Sequence, residues 1–269
     1  VIHDTLFWNC PKNYTPLWRK YYIKLINLGL RGNSSAITTS KYVKSNLEGL
    51  FSKQNLTIIV IFQSFLQSKI DDDSILKNLN LEDSDFLLHV GSFDKRKDLI
   101  TLVKAFKLLK EDQSNKHLKL VLAGQKILNG NTEVLNELEK YILTNSLSKS
   151  VLMTGYLSSQ EISSLYKKAL IYVFPSFEEG FGIPILEAFS MKTPVVTSNA
   201  GAMVEIAEGA AEHYKAGDHL ELFKTLTKLI ISKSERSYLI DKGSKRLKFF
   251  SREKFIKDYE QLILKSIKN

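Results

Sequence analysis

Residues 171–188 of this 269-residue chain read IYVFPSFEEGFGIPILEA, a short apolar strand followed by a glycine turn and the start of a helix. The turn therefore lies at the carboxyl edge of a predicted sheet, which is where open α/β folds bind ligands. Gly180 and Gly182 permit tight backbone geometry and close approach of a ligand. Pro184 fixes the helix start without loss of a hydrogen bond, and the free N–H groups of Gly182 and Ile183 predict a phosphate site.

Two glutamates eight residues apart flank this predicted anion site: Glu179 precedes the helix and Glu187 lies in its second turn. Carboxylates repel phosphate, so we expect them to accept hydrogen bonds from sugar hydroxyls on either side of a diphosphate, a sugar near Glu179 and a ribose near Glu187. Two alternatives stay open. The pair could be the acid and base of a glycosidase, which the glycine and helix-start context disfavours, or the turn could be purely structural with glutamates on its surface.

Strands and helices alternate outward from this stretch. From residue 86 onward, apolar strands alternate with helices of about ten to fifteen residues, which predicts an α/β fold with a parallel sheet covered on both faces. Upstream, two helix–strand pairs indicate the end of a second α/β unit. The predicted strands are 36–39, 56–61, 86–91, 118–124, 151–155, 171–174 and 194–197, and the predicted helices are 14–30, 41–51, 99–109, 134–142, 159–169, 182–191, 233–248 and one that follows Ser251.

Composition excludes several classes of protein. With 43% hydrophobic and 25% charged residues, the chain is able to bury one large core or two modest ones. A single cysteine, Cys10, excludes a disulfide scaffold and a cysteine-rich zinc ribbon. No apolar run approaches the ~20 residues of a membrane span and no signal segment opens the chain, so we expect a soluble or peripheral protein in a reducing compartment. Because the chain starts at Val1 and not at a methionine, and its first residues resemble the end of a strand, we also expect an upstream portion to be absent.

Positive charge gathers at both ends of the chain. Residues 1–54 carry eight Lys or Arg against two acids, and residues 233–269 carry eleven against five, whereas the middle is mildly acidic. Solvated helical faces would explain this pattern, and so would contact with an anionic membrane surface, a lipid phosphate or a nucleic acid. The nucleic-acid alternative lacks any helix-turn-helix, zinc or RNP-type pattern.

On these motifs the sequence resembles the retaining, nucleotide-sugar-dependent glycosyltransferases of family 4, which have the GT-B fold of two facing Rossmann-like domains. The Glu-x7-Glu signature of that family matches Glu179 and Glu187. The resemblance covers essentially the whole chain. Further family motifs match Gly91 to Lys97 (GSFDKRK), Ala105-Phe106, Gly155-Tyr156-Leu157, Thr193 to Val196, Gly201 and Glu205.

The resemblance implies four segments. Residues 1–66 would be the remnant of an incomplete amino-terminal, acceptor-side Rossmann-like domain, and residues 67–84 would be a linker. Residues 85–232 would form the nucleotide-sugar-binding Rossmann-like domain. Residues 233–269 would form carboxy-terminal helices, the last of which packs back on the amino-terminal domain.

The resemblance also implies roles for individual residues. Glu179 would accept hydrogen bonds from donor-sugar hydroxyls, and Glu187 would hold the ribose. Arg96 and Lys97 would neutralise the diphosphate leaving group, where charge builds up as the glycosidic bond breaks, although a solvated basic loop is the alternative. His3 would complete the catalytic set by pointing into the interdomain cleft toward the donor sugar. The rest of the donor site would be Gly91 and Ser92 at their strand end, Tyr156 and Leu157 near the nucleobase, and the backbone of Gly180, Phe181, Gly182 and Ile183.

The sequence departs from the family pattern in three places. Ser92 stands where the family often has an arginine, which leaves Arg96 and Lys97 to supply the positive charge. Residues 62–65 (FQSF) replace a common Asn-Gly turn, and the family's amino-terminal glycine-rich loop has no counterpart before Val1. We therefore expect the donor half of the site to be present and most of the acceptor half to be missing.

The implied reaction moves a hexosyl unit, with mannosyl preferred, from a nucleoside diphosphate to a glycan or polyprenyl-diphosphate-linked acceptor in cell-envelope polysaccharide synthesis, with retained configuration. The departing phosphate would act as the base, so no protein nucleophile, cofactor, metal or nucleic acid is expected. The implied location is the cytoplasm, including the inner face of the membrane. A nucleotide-sugar-binding fragment without turnover, a GT-B epimerase or phosphorylase, and a basic nucleic-acid-binding module stay open as alternatives.

The sequence shows no cluster of residues that is typical of a metal site. The Asp71-Asp72-Asp73 run lies in the predicted linker, unlike the Asp-x-Asp motif of the other glycosyltransferase fold. The remaining histidines lack the spacing of paired ligands and are interpreted as ordinary. They are His89, His117, His213 and His219.

Overall fold

The computed structural model describes residues 1–31, 35–65, 73–124 and 132–268. Asp71 and Asp72 of the predicted linker lie outside the described residues. The described residues form two parallel sheets, one of two strands and one of six. The α/β class with parallel sheets, predicted from the alternation of apolar strands and helices, is therefore confirmed.

The amino-terminal sheet is small. It pairs β1 (Ser35–Thr38) with β2 (Thr57–Val60), and Ile2 forms an isolated parallel bridge to Thr38 beside them. An apolar cluster of its own fills the space under this sheet. The helices of this part are α1 (Leu6–Asn9), α2 (Pro16–Leu30) and α3 (Lys41–Leu50).

The six-stranded sheet begins after a short helix in the predicted linker. That helix, α4, buries Ile75 and Leu76 in the main core, so this segment packs as well as connects. The elements are α4 (Ser74–Asn78), β3 (Phe86–Val90), α5 (Leu99–Glu111), β4 (Lys119–Ala123), α6 (Thr132–Thr144), β5 (Val151–Gly155), α7 (Ser159–Lys168), β6 (Ile171–Phe174), α8 (Ile183–Ser190), β7 (Val195–Ser198), α9 (Met203–Ala207), β8 (Glu212–Tyr214) and α10 (His219–Ile231).

The strands of this sheet lie in the order β5-β4-β3-β6-β7-β8, and every pairing is parallel. The order reverses between β3 and β6. In doubly wound sheets the carboxyl ends of the two strands at such a reversal bound the crevice that binds ligands. The topology therefore places the loop after β3 beside the loop after β6.

The central strands are buried on both faces. Leu88 and Phe174 face one apolar cluster, whereas Leu87 and Val173 face the other. Each of these side chains has no exposed surface. Two-sided burial explains why β3 and β6 have continuous apolar runs in place of alternation, and it makes both strand ends rigid supports for a site.

Two further helices, α11 (Lys233–Leu247) and α12 (Arg252–Lys268), follow the sheet. The turn between them contacts the amino-terminal part, because the rings of Phe250 and Phe62 lie 5.9 Å apart and the Phe250 carbonyl accepts the Phe65 N–H at 3.2 Å. In α12, Ile263 and Leu264 are more than half exposed. Packing of the last helix on the amino-terminal domain stays a prediction.

Candidate functional site

The candidate site begins where β3 and β6 end. After β3, the Asp94 carboxylate accepts the N–H of Arg96 at 2.9 Å and caps a single turn of 3-10 helix over Lys95–Lys97. After β6, the N–H of Phe177 donates to the Arg96 carbonyl at 2.8 Å. This backbone bond joins the two loops, so the basic residues after β3 meet the glutamates after β6.

The Glu179 carboxylate is the centre of a buried charge cluster. Its Oε1 accepts hydrogen bonds from Lys97 Nζ at 2.6 Å and Ser176 Oγ at 3.0 Å, and it forms an ion pair with Arg96. Only 13% of the Glu179 side chain is exposed. Burial opposes ionisation, but Lys97 and Arg96 outweigh it and hold the pKa of the Glu179 carboxyl below its usual value. Glu179 is therefore ionised at neutral pH.

Besides its ion pair with Glu179, Arg96 is held by two further groups. Ser92 Oγ donates to Asp94 Oδ2 at 2.7 Å, and that oxygen lies 3.7 Å from Arg96 Nη2. Arg96 Nη1 also donates to the Glu178 carbonyl at 2.9 Å. A guanidinium held in this way has a defined position, so the alternative of a solvated basic loop does not describe it.

Lys97 lies packed between the two strand ends and is only 7% exposed. Its Nζ is 4.8 Å from the centre of the Phe174 ring, a cation–π contact. A Cβ on Gly91 would lie 3.5 Å from Lys97 Cε and 3.2 Å from His89 Nε2. The absence of a side chain at Gly91 therefore gives room to Lys97 and His89.

His89, which sequence reasoning treats as ordinary, lies fully buried within this group. Its Nδ1 lies 3.1 Å from the Val173 carbonyl, which only accepts, so Nδ1 carries the hydrogen. Among the described residues, Nε2 has no hydrogen-bond partner. Burial, followed by the charge of Lys97, lowers the pKa of His89 to about 3, and the ring is neutral beside the charge cluster.

The helix α8 starts at the glycine turn as predicted. Gly182 caps it with φ of 109°, in the left-handed region that favours glycine, and Pro184 follows in the first turn. Within the described part of the chain, the N–H groups of Gly182 and Ile183 make no backbone hydrogen bond. The start of the helix therefore offers donors to an anion.

The amino-terminal residues of the chain pack against Gly180. A Cβ there would lie 2.7 Å from Asp4 Cβ and would collide with the His3 carbonyl. The Gly180 carbonyl accepts a hydrogen bond from Ser40 Oγ at 2.7 Å. The space beside Gly180, where the sequence predicts close approach of a ligand, is thus filled by residues of the amino-terminal part. The contact of Gly180 with a donor stays a prediction.

Glu187 lies apart from the Glu179 cluster. Its Oε2 accepts a hydrogen bond from Tyr166 at 3.1 Å, and it lines a cavity of about 220 Å³ that Val90 at the end of β3 also lines. Glu179 does not line this cavity. Burial raises the pKa of Glu187, and the Tyr166 hydroxyl offsets this only in part. The two glutamates therefore have different surroundings, one paired with cations and the other beside an open cavity.

The other predicted residues lie around this centre. His3 is exposed, and its Nδ1 lies 3.0 Å from Gln63 Nε2. Tyr156 is 74% exposed, and Leu157 packs on the edge of the main core. Phe181 is 6% exposed and packs against Phe250, so only its backbone is available to a ligand. The contacts of all these residues with a donor stay predictions.

The contacts between the site loop and the amino-terminal part were not predicted from the sequence. Glu178 accepts the Tyr42 hydroxyl at 2.6 Å and Asn9 Nδ2 at 2.9 Å. Glu205 accepts the N–H groups of Lys41 and Tyr42. The sequence offers two signals, the position of Glu178 beside Glu179 and the family motif that includes Glu205, but nothing that indicates Tyr42, which lies 136 residues from Glu178.

Two kinds of feature are absent from the described residues. They contain no group of three His, Cys, Asp or Glu side chains placed to hold a metal ion. They also contain no helix with both the length and the apolar character that crossing a membrane requires.

Comparisons with known sequences agree with the resemblance. The profile of the family described as glycosyl transferases group 1 matches residues 71–246. O-antigen chain mannosyltransferase B of Escherichia coli is 26% identical over 215 residues, which cover 78% of this chain and 55% of that protein. O-antigen chain mannosyltransferase RfbU of Salmonella typhimurium is 25% identical over 218 residues, 81% of this chain and 56% of that protein. The chain spans little more than half the length of these curated relatives.

Comparisons with solved structures show the fold. Anabaena HepE in complex with UDP-glucose has a TM-score of 0.81 and 18% identity, over 99% of this chain and 71% of that chain. Sucrose-phosphate synthase from Thermosynechococcus elongatus has a TM-score of 0.77 and 23% identity, over 93% of this chain and 61% of that chain. These neighbours are GT-B glycosyltransferases, so the predicted GT-B fold class is confirmed.

Proposed function

Because this chain belongs to the glycosyl transferases group 1 family, we propose that it transfers a hexosyl unit from a nucleoside-diphosphate sugar to a glycan or lipid-linked acceptor. The observation that carries the proposal is the cluster of Arg96, Lys97 and Glu179, in which Glu179 lies three residues before Gly182 and the start of α8. A sugar nucleotide presents a diphosphate and sugar hydroxyls side by side. The cluster offers cations to the first and a carboxylate to the second.

In the proposed reaction, Arg96 and Lys97 stabilise the leaving group. As the bond between the anomeric carbon and the diphosphate oxygen breaks, its electron pair leaves with that oxygen, and both cations face the growing charge. The acceptor hydroxyl bonds to the anomeric carbon from the same face, and its proton passes to the departing phosphate. The configuration is retained without a protein nucleophile, a metal or another cofactor.

Glu179 serves the sugar in this proposal. In the structure its carboxylate is paired with Lys97 and Arg96. A bound diphosphate competes for both cations and frees carboxylate oxygens to accept sugar hydroxyls. Donor binding therefore exchanges one set of charge-assisted hydrogen bonds for another, and neither charge is left buried without a partner.

Glu187 is proposed to hold the ribose. Tyr166 donates to Oε2, which leaves the rest of the carboxylate facing the adjacent cavity. Vicinal ribose hydroxyls are donors that suit a carboxylate. Tyr156 and Leu157, which follow β5, are proposed to lie near the nucleobase.

Mannosyl transfer in cell-envelope polysaccharide synthesis is the preferred form of the proposal. It is supported by the relatives named as mannosyltransferases. The HepE structures instead hold UDP with glucose or UDP-glucose. A thermal-shift panel of GDP-, UDP- and ADP-sugars identifies the donor, and we expect one preferred donor. The stabilisation of the folded chain grows with the ratio of ligand concentration to dissociation constant, and it reaches about 2.7 kcal/mol when the concentration is one hundred times that constant.

The Glu187→Ala variant should lose the shift produced by the preferred donor. The expected loss follows from removal of the acceptor for both ribose hydroxyls, worth about 1.5–3 kcal/mol for each hydrogen bond to a charged group. Glu111→Ala is the matched control, since the Glu111 side chain is 59% exposed at the end of α5 and forms an ion pair with Lys107 away from the site. A full shift in Glu187→Ala would contradict the ribose assignment, and no shift with any sugar nucleotide in the unaltered chain would contradict the proposed function.

We further propose that α2 rests on the inner face of an anionic membrane, where a polyprenyl-diphosphate-linked acceptor would lie. Its residues Leu17, Trp18 and Tyr21 are each more than half exposed. Residues 5–47 carry seven Lys or Arg and no acid. Exposed aromatic rings combined with basic side chains match the lipid interface, where each basic residue contributes about 1 kcal/mol near an anionic surface.

Flotation with phosphatidylglycerol vesicles at low salt should retain the chain, while neutral phosphatidylcholine vesicles should not. Trp18→Ser should weaken retention, whereas Leu143→Ser, a change at an exposed leucine outside α2, should not. Equal recovery with both kinds of vesicle would contradict the membrane proposal and would leave the donor site unaffected.

A further inference from the structure

Glu178 connects the amino-terminal part of the chain with the candidate site. Its carboxylate accepts the Tyr42 hydroxyl, at 2.6 Å to Oε1 and 2.8 Å to Oε2, and Asn9 Nδ2 at 2.9 Å. Its backbone carbonyl accepts Arg96 Nη1 at 2.9 Å. The side chain of one residue thus belongs to the amino-terminal contact, while its backbone belongs to the charge cluster.

Glu179, the next residue, is held by short contacts on its backbone as well. Its carbonyl accepts the Ala202 N–H at 3.0 Å. Gly201 lies so close that a Cβ there would be 2.6 Å from the Glu179 nitrogen. The Glu179 backbone therefore has little room to absorb a displacement of Glu178, and such a displacement would shift the Glu179 carboxylate.

Tyr42 makes two independent contacts with the carboxy-terminal part. Its hydroxyl reaches Glu178, and its N–H donates to Glu205 Oε2 at 3.1 Å while the Lys41 N–H donates to Glu205 Oε1 at 2.9 Å. These N–H groups start α3, where a carboxylate also meets the positive end of the helix dipole. Glu205 fixes the start of α3, so the Tyr42 hydroxyl arrives at Glu178 from a defined direction.

The Tyr42 hydroxyl remains a donor at physiological pH. Burial, followed by the hydrogen bond to Glu178, raises the pKa of Tyr42 to about 12. A neutral phenol that donates to an ionised carboxylate forms a short and strong hydrogen bond. The contact is therefore present across the pH range in which the chain would work.

We propose that Tyr42 is a positioning residue for the donor sugar: by holding Glu178, it places the carboxylate of the next residue, Glu179, for the sugar of a sugar nucleotide, while Arg96 keeps its contacts with Asp94 and Glu179. The inference rests on the proposed function of the same site. It makes recognition of the sugar depend on whether the amino-terminal part is docked on the loop after β6. The nucleotide half of the donor, at Glu187 and its cavity, lies outside this contact.

The test compares Tyr42→Phe with the unaltered full chain by calorimetry, using GDP-mannose and GDP, with UDP-glucose and UDP as the second pair. Tyr42→Phe keeps the ring that packs on two apolar clusters and removes only the hydroxyl. We expect affinity for the nucleoside diphosphate to change less than about twofold and affinity for the sugar nucleotide to fall about tenfold, as for loss of one hydrogen bond to a charged group. A purely structural role would lower both affinities together.

A double-mutant cycle locates the effect. Glu178→Gln should show the same selective loss, and the combined variant should lose no more than either single variant, because the two changes remove one contact. Tyr238→Phe, at a 55% exposed tyrosine outside the site, is the matched control and should bind both ligands normally.

Each outcome of these binding measurements either supports or overturns the proposed role of Tyr42. Additive losses in the cycle, equal losses for nucleotide and sugar nucleotide, or normal binding in Tyr42→Phe would overturn the role of Tyr42 while leaving the proposed function in place. An unaltered chain that binds no sugar nucleotide at all would remove the proposed function and the inference with it.

Discussion

Glu179→Gln should bind a nucleoside diphosphate about tenfold more tightly than the unaltered chain and should lose most of its preference for the attached sugar. In the unaltered chain the Glu179 carboxylate occupies both Arg96 and Lys97. Without that charge both cations are available to a diphosphate, while the acceptor for sugar hydroxyls is weaker. The ratio of sugar-nucleotide to nucleotide affinity should fall about tenfold to a hundredfold, as for one or two hydrogen bonds to a charged group.

The same substitution should lower the free energy of unfolding by about 3 kcal/mol at neutral pH, because it removes the carboxylate charge that two nearly buried cations share. The pKa of Glu179 in the folded chain lies below its usual value. The ionised carboxylate therefore stabilises the fold fully at pH values above that usual pKa, and this stabilisation is lost as the pH falls through the lowered pKa. Denaturant unfolding of both chains at neutral and acid pH measures this difference.

Glu208→Gln is the matched control for Glu179→Gln. Glu208 also pairs with an arginine, Arg246, but the Glu208 side chain is 67% exposed, and the residue caps the carboxyl end of α9. The control should leave both ligand affinities unchanged. If Glu179→Gln kept the full sugar preference, Glu179 would have no part in binding the donor sugar.

Gly180→Ala should lower the free energy of unfolding by about 1–3 kcal/mol, the usual cost of a side chain forced into filled space. The added Cβ would meet the His3 carbonyl and would lie 2.7 Å from Asp4 Cβ. Both obstacles belong to the segment beside the amino-terminal sheet, so relief requires that segment to move away from the loop. Ser40 would then lose its hydrogen bond to the Gly180 carbonyl.

Gly49→Ala provides the opposite expectation for the same chemical change. Gly49 lies in α3, and a Cβ there meets nothing within 4 Å. Replacement of a helical glycine by alanine should raise the free energy of unfolding by about 0.5–1 kcal/mol. Denaturant unfolding of the two variants gives both values, and a Gly180→Ala chain as stable as the unaltered one would show that the contact between residues 3–4 and the loop is absent in solution.

Much of the fold follows from local patterns. The apolar runs at 86–90 and 171–174 are buried on both faces, and such runs need a sheet covered by helices. Gly182 and Pro184 mark the start of α8 because backbone geometry demands those residue types at those positions. Several elements are absent from the sequence prediction: the short helices α1 and α9, the helix α4 in the predicted linker, the three-residue strand β8 with its polar pair Glu212 and His213, and the longer helix α10.

The site was predicted in part. Arg96, Lys97 and Glu179 were selected from motifs in two separate loops, and these loops lie in contact because β3 and β6 are neighbours. The surroundings of Glu179 and Glu187 were not predictable, since they depend on which groups fold against each carboxylate. His89 was treated as ordinary because nothing in its own neighbourhood reveals the burial that it shares with Lys97.

The amino-acid sequence by itself determined the order of the apolar strands and of most helices, the glycine turn that starts α8 and the residue types of the charge cluster. These depend on periodicity and backbone conformation, which act over a few residues. Tertiary structure alone decided that Arg96 pairs with a loop 82 residues away, that Gly180 accommodates the His3 segment, and that Tyr42 reaches Glu178. Such contacts depend on which strand ends meet at the reversal of strand order and on how the two sheets pack, which no local pattern encodes.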